Sequence, residues 1–166
     1  MIRIAKPTDY PEMDSVFRAS AKAFCSQSYD AATIKEWAGQ SWPDRFKLGK
    51  EKGDEQYVFT KDGRIICFGC INLSSEKLVS LFVHPEFSGQ NVGEMMLEYV
   101  IDRAATAGIK VLKLDSSTNA VNFYKRHGFS EVGFSKYKTQ SGLQMDSVQM
   151  ELTLEDIVTS NQTDGF

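Results

Sequence analysis

The sequence lacks several features that mark particular classes of protein. No apolar run approaches the roughly 18 residues of a membrane-spanning helix, and the N-terminus carries no signal-peptide pattern. Lysine and arginine form no cluster, the formal net charge is -3, and the isoelectric point is about 5.4. We therefore expect a cytoplasmic protein with no membrane or nucleic-acid partner. The acidic balance slightly favours a cationic ligand.

Cysteine is scarce, and its placement does not suggest a metal or redox site. Cys67 and Cys70 have the C-x-x-C spacing of redox couples and of half zinc sites. Both lie in residues 64–73, which read as a strand, and side chains three apart on a strand point to opposite faces. We expect these two thiols to be buried core residues and no metal to be bound. Cys25 could be exposed in a loop.

Two common phosphate-binding loops are also missing, but another loop of that kind is present. Neither G-x-x-x-x-G-K-[ST] nor a post-strand G-x-G-x-x-G occurs, which argues against nucleotide hydrolysis and dinucleotide binding. Residues 77–83 read as a strand, and helical periodicity follows at residues 91–107. The turn between them contains Ser88, Gly89, Asn91 and Gly93. The unpaired N–H groups and positive dipole end of that helix would face the turn and suit a phosphate.

The remaining pattern predicts one mixed domain, without repeats or low-complexity segments. A chain of 166 residues suits a single core, which we place at residues 1–155, with a polar tail at residues 156–166. Strands are predicted at residues 2–5, 56–60, 64–73, 77–83, 109–114, 129–137 and 145–153. Helices are predicted at residues 9–23, 31–38, 42–50, 91–107 and 119–127. Short turns predict antiparallel pairing, whereas the strand, helix and strand at residues 77–114 predict a parallel pair.

Two loops in this pattern carry a family resemblance. Residues 87–93, Phe-Ser-Gly-Gln-Asn-Val-Gly, resemble the acetyl-CoA pyrophosphate loop of the GNAT superfamily of N-acetyltransferases, Q/R-x-x-G-x-G/A. Ser88 and Asn91 depart from that pattern, and Ser88 removes a long polar side chain. Residues 117–129 are similar to a second GNAT signature, N-x-x-A-x-x-F-Y-x-x-x-G-F. The residues in register are Ala120, Phe123, Tyr124, Gly128 and Phe129.

The resemblance covers about residues 2–152 and implies both a fold and an activity. The implied fold is α+β in α/β/α layers, a mixed, mostly antiparallel sheet of about seven strands with a splayed central parallel pair. The implied activity is direct transfer of an acetyl group from acetyl-CoA to a primary amine of a small molecule or protein. Tyr124 matches the tyrosine that protonates the departing thiolate. The implied cofactor contacts are Phe82, Val83, Ser88, Gly89, Gln90, Asn91, Val92, Gly93, Glu94, Ser117 and Asn119.

The acceptor side and the general base are less defined. The resemblance implies that the first two helices wall the acceptor site, where the aromatic residues are Phe24, Tyr29, Trp37 and Trp42. Core packing is the alternative for these rings. Four candidate bases lie near the expected cleft, Glu76, His84, Glu86 and Asp115, and none stands out.

Two other functions stay open at this point. One is a module that binds acetyl-CoA without turnover, which the departures at Ser88 and Asn91 would suit. The other is a ping-pong acyltransferase that uses a cysteine nucleophile. The sequence is compatible with a monomer or a homodimer.

Overall fold

The computed structural model describes residues 1–139 and 141–154. The predicted tail at residues 156–166 lies outside the described residues. The described part forms one seven-stranded sheet with helices on both faces, which confirms the predicted fold class.

The sheet is antiparallel except at its centre. Its strands are β1 (Ile2–Ile4), β2 (Asp54–Lys61), β3 (Arg64–Asn72), β4 (Lys77–Val83), β5 (Val111–Ser117), β6 (Ser130–Lys138) and β7 (Gln144–Thr153). Their order across the sheet is β1-β2-β3-β4-β5-β7-β6. Within the described residues, β4 and β5 are the only neighbouring strands that run parallel. The strand–helix–strand order in the sequence predicts this arrangement.

Helices cover the two faces of the sheet separately. They are α1 (Tyr10–Ser20), α2 (Ala31–Ala38), α3 (Asp44–Glu51), α4 (Val92–Thr106) and α5 (Val121–Arg126). Helices α1 to α3 pack on one face around Phe68, while α4 and α5 pack on the other around Ile66. The uninterrupted apolar run in β3 serves two cores, because its side chains point to both faces, and an extra residue at Ile66 places Ile66 and Cys67 on the same face.

The cysteines of β3 lie on opposite faces of the sheet, and Cys25 corrects one expectation. Cys67 belongs to the α4 side of the core and Cys70 to the α1 side, and both are buried, as predicted. The expectation of a possibly exposed loop position for Cys25 is wrong, because Cys25 is only 3% exposed. Helix α1 continues into a π-helical turn, Ala21–Cys25, whose first and last side chains both face inward.

A bulge in β4 opens the centre of the sheet. Ser80 lies opposite Cys70 and Leu78 lies opposite Ile71, so Val79 is an extra residue without a partner in β3. Beside it, β4 and β5 pair at a single position, Lys77 opposite Lys113. The two strands then diverge. We call the opening between them, beyond this pair, the gap.

The helical layer on the α1 side is held by a buried ion pair. Asp14, 1% exposed, accepts a hydrogen bond from Arg45 Nε at 2.9 Å and another from the Trp42 backbone N–H at 3.1 Å. The Arg45 guanidinium also lies 4.4 Å from the centre of the Phe17 ring. The pair therefore joins α1, α3 and the segment before α3.

We expect Asp14→Ala to lower the free energy of unfolding by about 3 kcal/mol, because it leaves a largely buried guanidinium without its counter-charge. Urea unfolding followed by circular dichroism measures the change. Glu86→Ala is the control, since the Glu86–Arg64 pair is more than half exposed and should contribute less than about 1 kcal/mol. Equal losses in the two variants would contradict this assignment.

Candidate active site

Backbone groups of β4 face the gap in alternation. The His84 N–H donates to the Ile66 carbonyl at 2.8 Å, which makes these two residues a hydrogen-bonded pair of the antiparallel β3–β4 ladder. Two residues back, Phe82 therefore turns its N–H and C=O toward β3. Leu81 and Val83 turn theirs toward the gap.

This alternation changes one expectation from the sequence. Phe82 was expected to offer main-chain groups to a ligand in the gap, but those groups belong to the ladder with β3. The Phe82 side chain instead lines the cavity described below. Leu81 takes over the main-chain position, and sequence reasoning missed it because the pairing of β4 with β3 decides which residues face the gap.

One hydrogen bond shows which backbone groups of β5 point toward β4. The Lys113 N–H donates to the Glu76 carbonyl at 3.0 Å, so Lys113 turns its backbone toward β4. By alternation, Asp115 and Ser117 also turn their backbone groups toward the gap. Both edges of the gap thus carry backbone N–H and C=O groups that are not paired with another strand.

One end of the gap meets the glycine-containing loop. Helix α4 begins at Val92, after Asn91 in the left-handed conformation, φ 60° and ψ 16°, which asparagine tolerates better than most residues. Gly93 is buried against the end of β4. A Cβ there would lie 3.2 Å from Val83 Cγ2 and 3.5 Å from Phe123 Cζ. This close approach holds the first N–H groups of α4 at the end of the gap.

The other loop residues predicted from the sequence stay at the surface. Ser88, Gly89 and Gln90 are exposed, and Gly89 has φ 73° with open space where a side chain would be. Val92 is buried in the α4 side of the core, so its contribution is restricted to its backbone. The structure therefore brings residues 88–94 together at one end of the gap.

Tyr124 lies on the far side of the gap, on α5. Its ring packs between Phe123 and Phe129, with centres 5.2 and 5.6 Å away, and the residue is 8% exposed. Tyr124 lines the cavity, and burial raises the pKa of its hydroxyl well above the ordinary value. The phenol therefore stays protonated through the neutral range and is suited to donating a proton.

Ser117 and Asn119 connect the gap to the N-terminal helices. Burial raises the pKa of the neighbouring Cys25 thiol, and the polar side chains of Asn119 and Ser117 offset part of that rise. Beside them, the Tyr29 hydroxyl donates to the Asp146 carbonyl at 2.5 Å and accepts from the Thr118 N–H at 3.1 Å. Tyr29 thus ties the α1–α2 connection to the start of the α5 segment.

The gap opens into a cavity of about 600 Å³ on the α1 side of the sheet. This volume is typical of a small-molecule site. Tyr29, Trp37 and Trp42 line the cavity, as the sequence resemblance implies for the acceptor side. Phe24 does not line it and is 38% exposed. Aromatic lining residues that sequence reasoning missed are Phe17, Phe46, Phe68 and Tyr137.

Among the four candidate bases, Asp115 lines the cavity. Its Oδ2 pairs with Lys77 Nζ, and its Oδ1 is buried without a hydrogen-bond partner in the described part of the chain. His84 Nδ1 accepts the Glu86 N–H at 3.2 Å and lies at the outer end of β4. Glu76, His84 and Glu86 do not line the cavity.

Residues 1–139 and 141–154 contain neither a candidate membrane-spanning helix nor a candidate metal cluster. No helix in these ranges is long and apolar enough to cross a membrane. No group of three or more His, Cys, Asp or Glu side chains in these ranges is arranged to hold a metal ion.

Comparisons with known proteins identify the family. The family model for the acetyltransferase (GNAT) domain matches residues 22–154. A [ribosomal protein bS18]-alanine N-acetyltransferase from Salmonella typhimurium is 28% identical over 123 residues, 68% of this chain and 81% of that protein. The peptidyl-lysine N-acetyltransferase YjaB from the same species is 34% identical over 68 residues, 41% of this chain and 46% of its own length.

Solved structures share the fold. A GCN5-related N-acetyltransferase from Rhodopseudomonas palustris superposes with a TM-score of 0.83 at 21% identity, covering 92% of this chain and 94% of that one. The PaiA N-acetyltransferase from Thermoplasma acidophilum, solved in complex with coenzyme A, gives 0.71 at 20% identity, covering 92% and 98%. The family model spans most of the chain, and the fold match to the Rhodopseudomonas palustris structure covers 92% of it. The chain therefore belongs to the GNAT family of N-acetyltransferases.

Proposed function

We propose that the protein transfers an acetyl group from acetyl-CoA directly to a primary amine held in the cavity. The observation that carries this proposal is the gap between β4 and β5, whose unpaired edges run from the loop before α4 to the cavity beside Tyr124. A gap of this kind accepts an extended ligand as a missing strand. The comparison structure with bound coenzyme A supports the same ligand class.

The residues present fit such a ligand at both ends. The N–H groups at the start of α4, with the loop residues Ser88, Gly89, Gln90, Asn91, Val92, Gly93 and Glu94, suit a diphosphate. The gap-facing peptide groups of Leu81 and Val83 suit the amides of an extended arm. Ser117 and Asn119 lie on the opposite edge. No lysine or arginine occurs in residues 88–94, so backbone groups must supply most of the anion binding.

The chemistry assigned to the chain is proton transfer and positioning. The thioester supplies the acetyl group, which the neutral acceptor amine attacks. The Leu81 N–H is placed to polarise a carbonyl lying in the gap, beside the bulge at Val79. The Tyr124 hydroxyl donates its proton to the leaving thiolate. Asp115 is the candidate to accept the proton that the amine releases, directly or through water.

The environment of the thiols favours direct transfer over a cysteine intermediate. Burial raises the pKa of Cys70 to about 12, and it also raises the pKa of Cys25 and Cys67. Thiolate, the nucleophilic form, is therefore rare at neutral pH at all three positions. No observation favours a ping-pong route.

The identity of the acceptor amine is part of this proposal. The two relatives are named for alanine and lysine amino groups of proteins. A protein amino group and the amino group of a small molecule undergo the same acetylation chemistry. An acceptor cavity lined by four carboxylate residues, Glu36, Asp54, Asp115 and Asp146, suits any protonated amine as it arrives.

A thiol-release screen tests the proposal. Purified protein is mixed with acetyl-CoA and a panel of monoamines, diamines, amino acids and peptide N-termini, and free coenzyme A is measured with a thiol reagent. We expect amine-dependent release at rates above the background without protein. Binding of acetyl-CoA by calorimetry, with no release for any amine, would instead support the module without turnover. A mass increase of the protein by one acetyl group at a cysteine would overturn direct transfer.

A further inference from the structure

The cavity has a second polar end, away from the gap. This end is formed by Asp54 and Gln56 on β2 and Asn72 on β3, and we call it the Asp54 end. Gly49 on α3 lies over it. None of these residues belongs to the loops that resemble the GNAT motifs, and the transfer step does not use them.

Gln56 presents an unsatisfied acceptor there. Its side chain is buried, with the residue 3% exposed, and Nε2 donates to the Phe46 carbonyl at 2.7 Å. This bond fixes the amide, so Oε1 must be the other terminal atom, and Oε1 has no partner among the described residues. A buried acceptor without a donor is unfavourable. A ligand with an N–H group would relieve it.

Asp54 adds a negative charge beside this acceptor. Its Oδ1 accepts from Asn72 Nδ2 at 2.9 Å, while Oδ2 accepts no hydrogen bond from the described residues. Oδ2 faces Gly49, where a Cβ would approach it to 2.7 Å. The glycine therefore lets the carboxylate pack closely against α3.

Positive side chains near the cavity do not neutralise this end. Arg45 is engaged by Asp14 in the buried ion pair. Lys52 also lines the cavity, but it is exposed, and no ion pair joins it to Asp54 in the described ranges. The rings of Phe46 and Phe68 pack edge to face close by, with centres 5.1 Å apart, and their apolar faces suit a methylene chain.

The sheet itself gives the distance from this end to the gap. Gln56 lies opposite Cys70, and Cys70 lies opposite Ser80, so the three residues form one row across β2, β3 and β4. Two strand spacings make this row roughly 10 Å long. Ser80 directly follows the bulge at Val79, where the gap opens.

We propose that the Asp54 end holds a protonated amino group of the acceptor while a second amino group of the same molecule lies at the gap and is acetylated. The acceptor class is then a small aliphatic diamine or polyamine long enough to span the row from Gln56 to Ser80, roughly 10 Å. This inference rests on the proposed function and specifies the acceptor of that same site.

A length series of amines tests it. Diaminopropane, diaminobutane, diaminohexane and diaminooctane are compared with hexylamine by kcat/KM in the thiol-release assay. We expect diaminohexane and diaminooctane to exceed both hexylamine and diaminopropane by about 10- to 100-fold, because a charged hydrogen bond is gained at the far end. The gain should appear mainly in KM and decrease as salt is added.

Two variants test whether the preference for long diamines over hexylamine arises at the Asp54 end. Asp54→Asn keeps the size of the side chain and its bond with Asn72, and should raise KM for diaminohexane about tenfold with kcat retained. Gly49→Ala places a methyl group against Asp54 Oδ2 and should reduce the same preference, although alanine favours the helix. Asp102→Asn is the matched control: Asp102 is exposed on α4, on the other side of the sheet, and the preference should persist.

The outcomes separate this inference from the proposed function. Release of coenzyme A with monoamines and diamines at equal efficiency would overturn the diamine site and leave acetyl transfer standing. A peptide N-terminus that outperforms every diamine would also overturn it. No release with any amine would remove the proposed function and the inference together.

Discussion

Tyr124→Phe is expected to lower kcat by about 100- to 10,000-fold, the usual contribution of a positioned general acid. The substitution removes the hydroxyl that would protonate the leaving thiolate and keeps the ring between Phe123 and Phe129. Because burial raises the pKa of Tyr124, the wild-type hydroxyl stays protonated at every ordinary assay pH. The measurement is steady-state thiol release with a saturating amine, paired with calorimetric titration of coenzyme A.

The two readouts of this variant should separate. Coenzyme A affinity should change by less than about threefold, since the proposed anion site is the loop before α4 and Tyr124 lies on α5. Tyr99→Phe is the matched control, because Tyr99 sits on α4, is 38% exposed and packs on Tyr57. Its kcat should stay at the wild-type value. A Tyr124→Phe enzyme with full turnover would remove the general-acid role.

Gly89→Asp is expected to weaken coenzyme A binding by about 10- to 100-fold, because it places a carboxylate where the diphosphate should lie. Gly89 has φ 73° and nothing within 4 Å of the added Cβ, so the new side chain has room. The substitution also introduces backbone strain, worth about 1 to 3 kcal/mol for a non-glycine residue in this region. Calorimetry or competition binding gives the Kd, and thermal unfolding gives the stability.

Gly63→Asp separates the charge effect from the strain. Gly63 has φ 75° and also has open space around its Cβ position, but it lies in the turn between β2 and β3. Both variants should lose similar stability, while only Gly89→Asp should lose coenzyme A affinity. Raising the salt concentration should recover part of that loss. Equal affinities in the two variants would place the anion site elsewhere.

Local sequence patterns predicted the elements that position the site. The apolar run at residues 77–83, the turn residues and the helical periodicity after them describe β4, its loop and α4, because local backbone preferences decide strands, turns and helix ends. Gly108, with φ 83°, ends α4 as predicted. The register of residues 117–129 with the second motif placed Tyr124 on a short helix, where it lies.

Other features depend on contacts between distant segments. Cys25 is buried because a π-helical turn continues α1 inward, and no nearby residue signals that turn. Leu81, and not Phe82, turns its backbone to the gap because the ladder with β3 sets the phase of β4. The sequence gives no reason to distinguish Phe24 from Tyr29 as lining residues. Of these two, only Tyr29 lines the cavity, and its hydroxyl bonds the Thr118 N–H and the Asp146 carbonyl.

The family, the mixed sheet and the loop before α4 could be predicted along the chain, since each follows from residues close together in sequence. The shape of the cavity could not. Gln56, Cys70 and Ser80 form one row only when three strands pair, and the pairing with β3 decides which backbone groups of β4 face the gap. Strand register depends on contacts between distant segments, because the packing of both cores determines it. It can therefore be seen only in the folded structure.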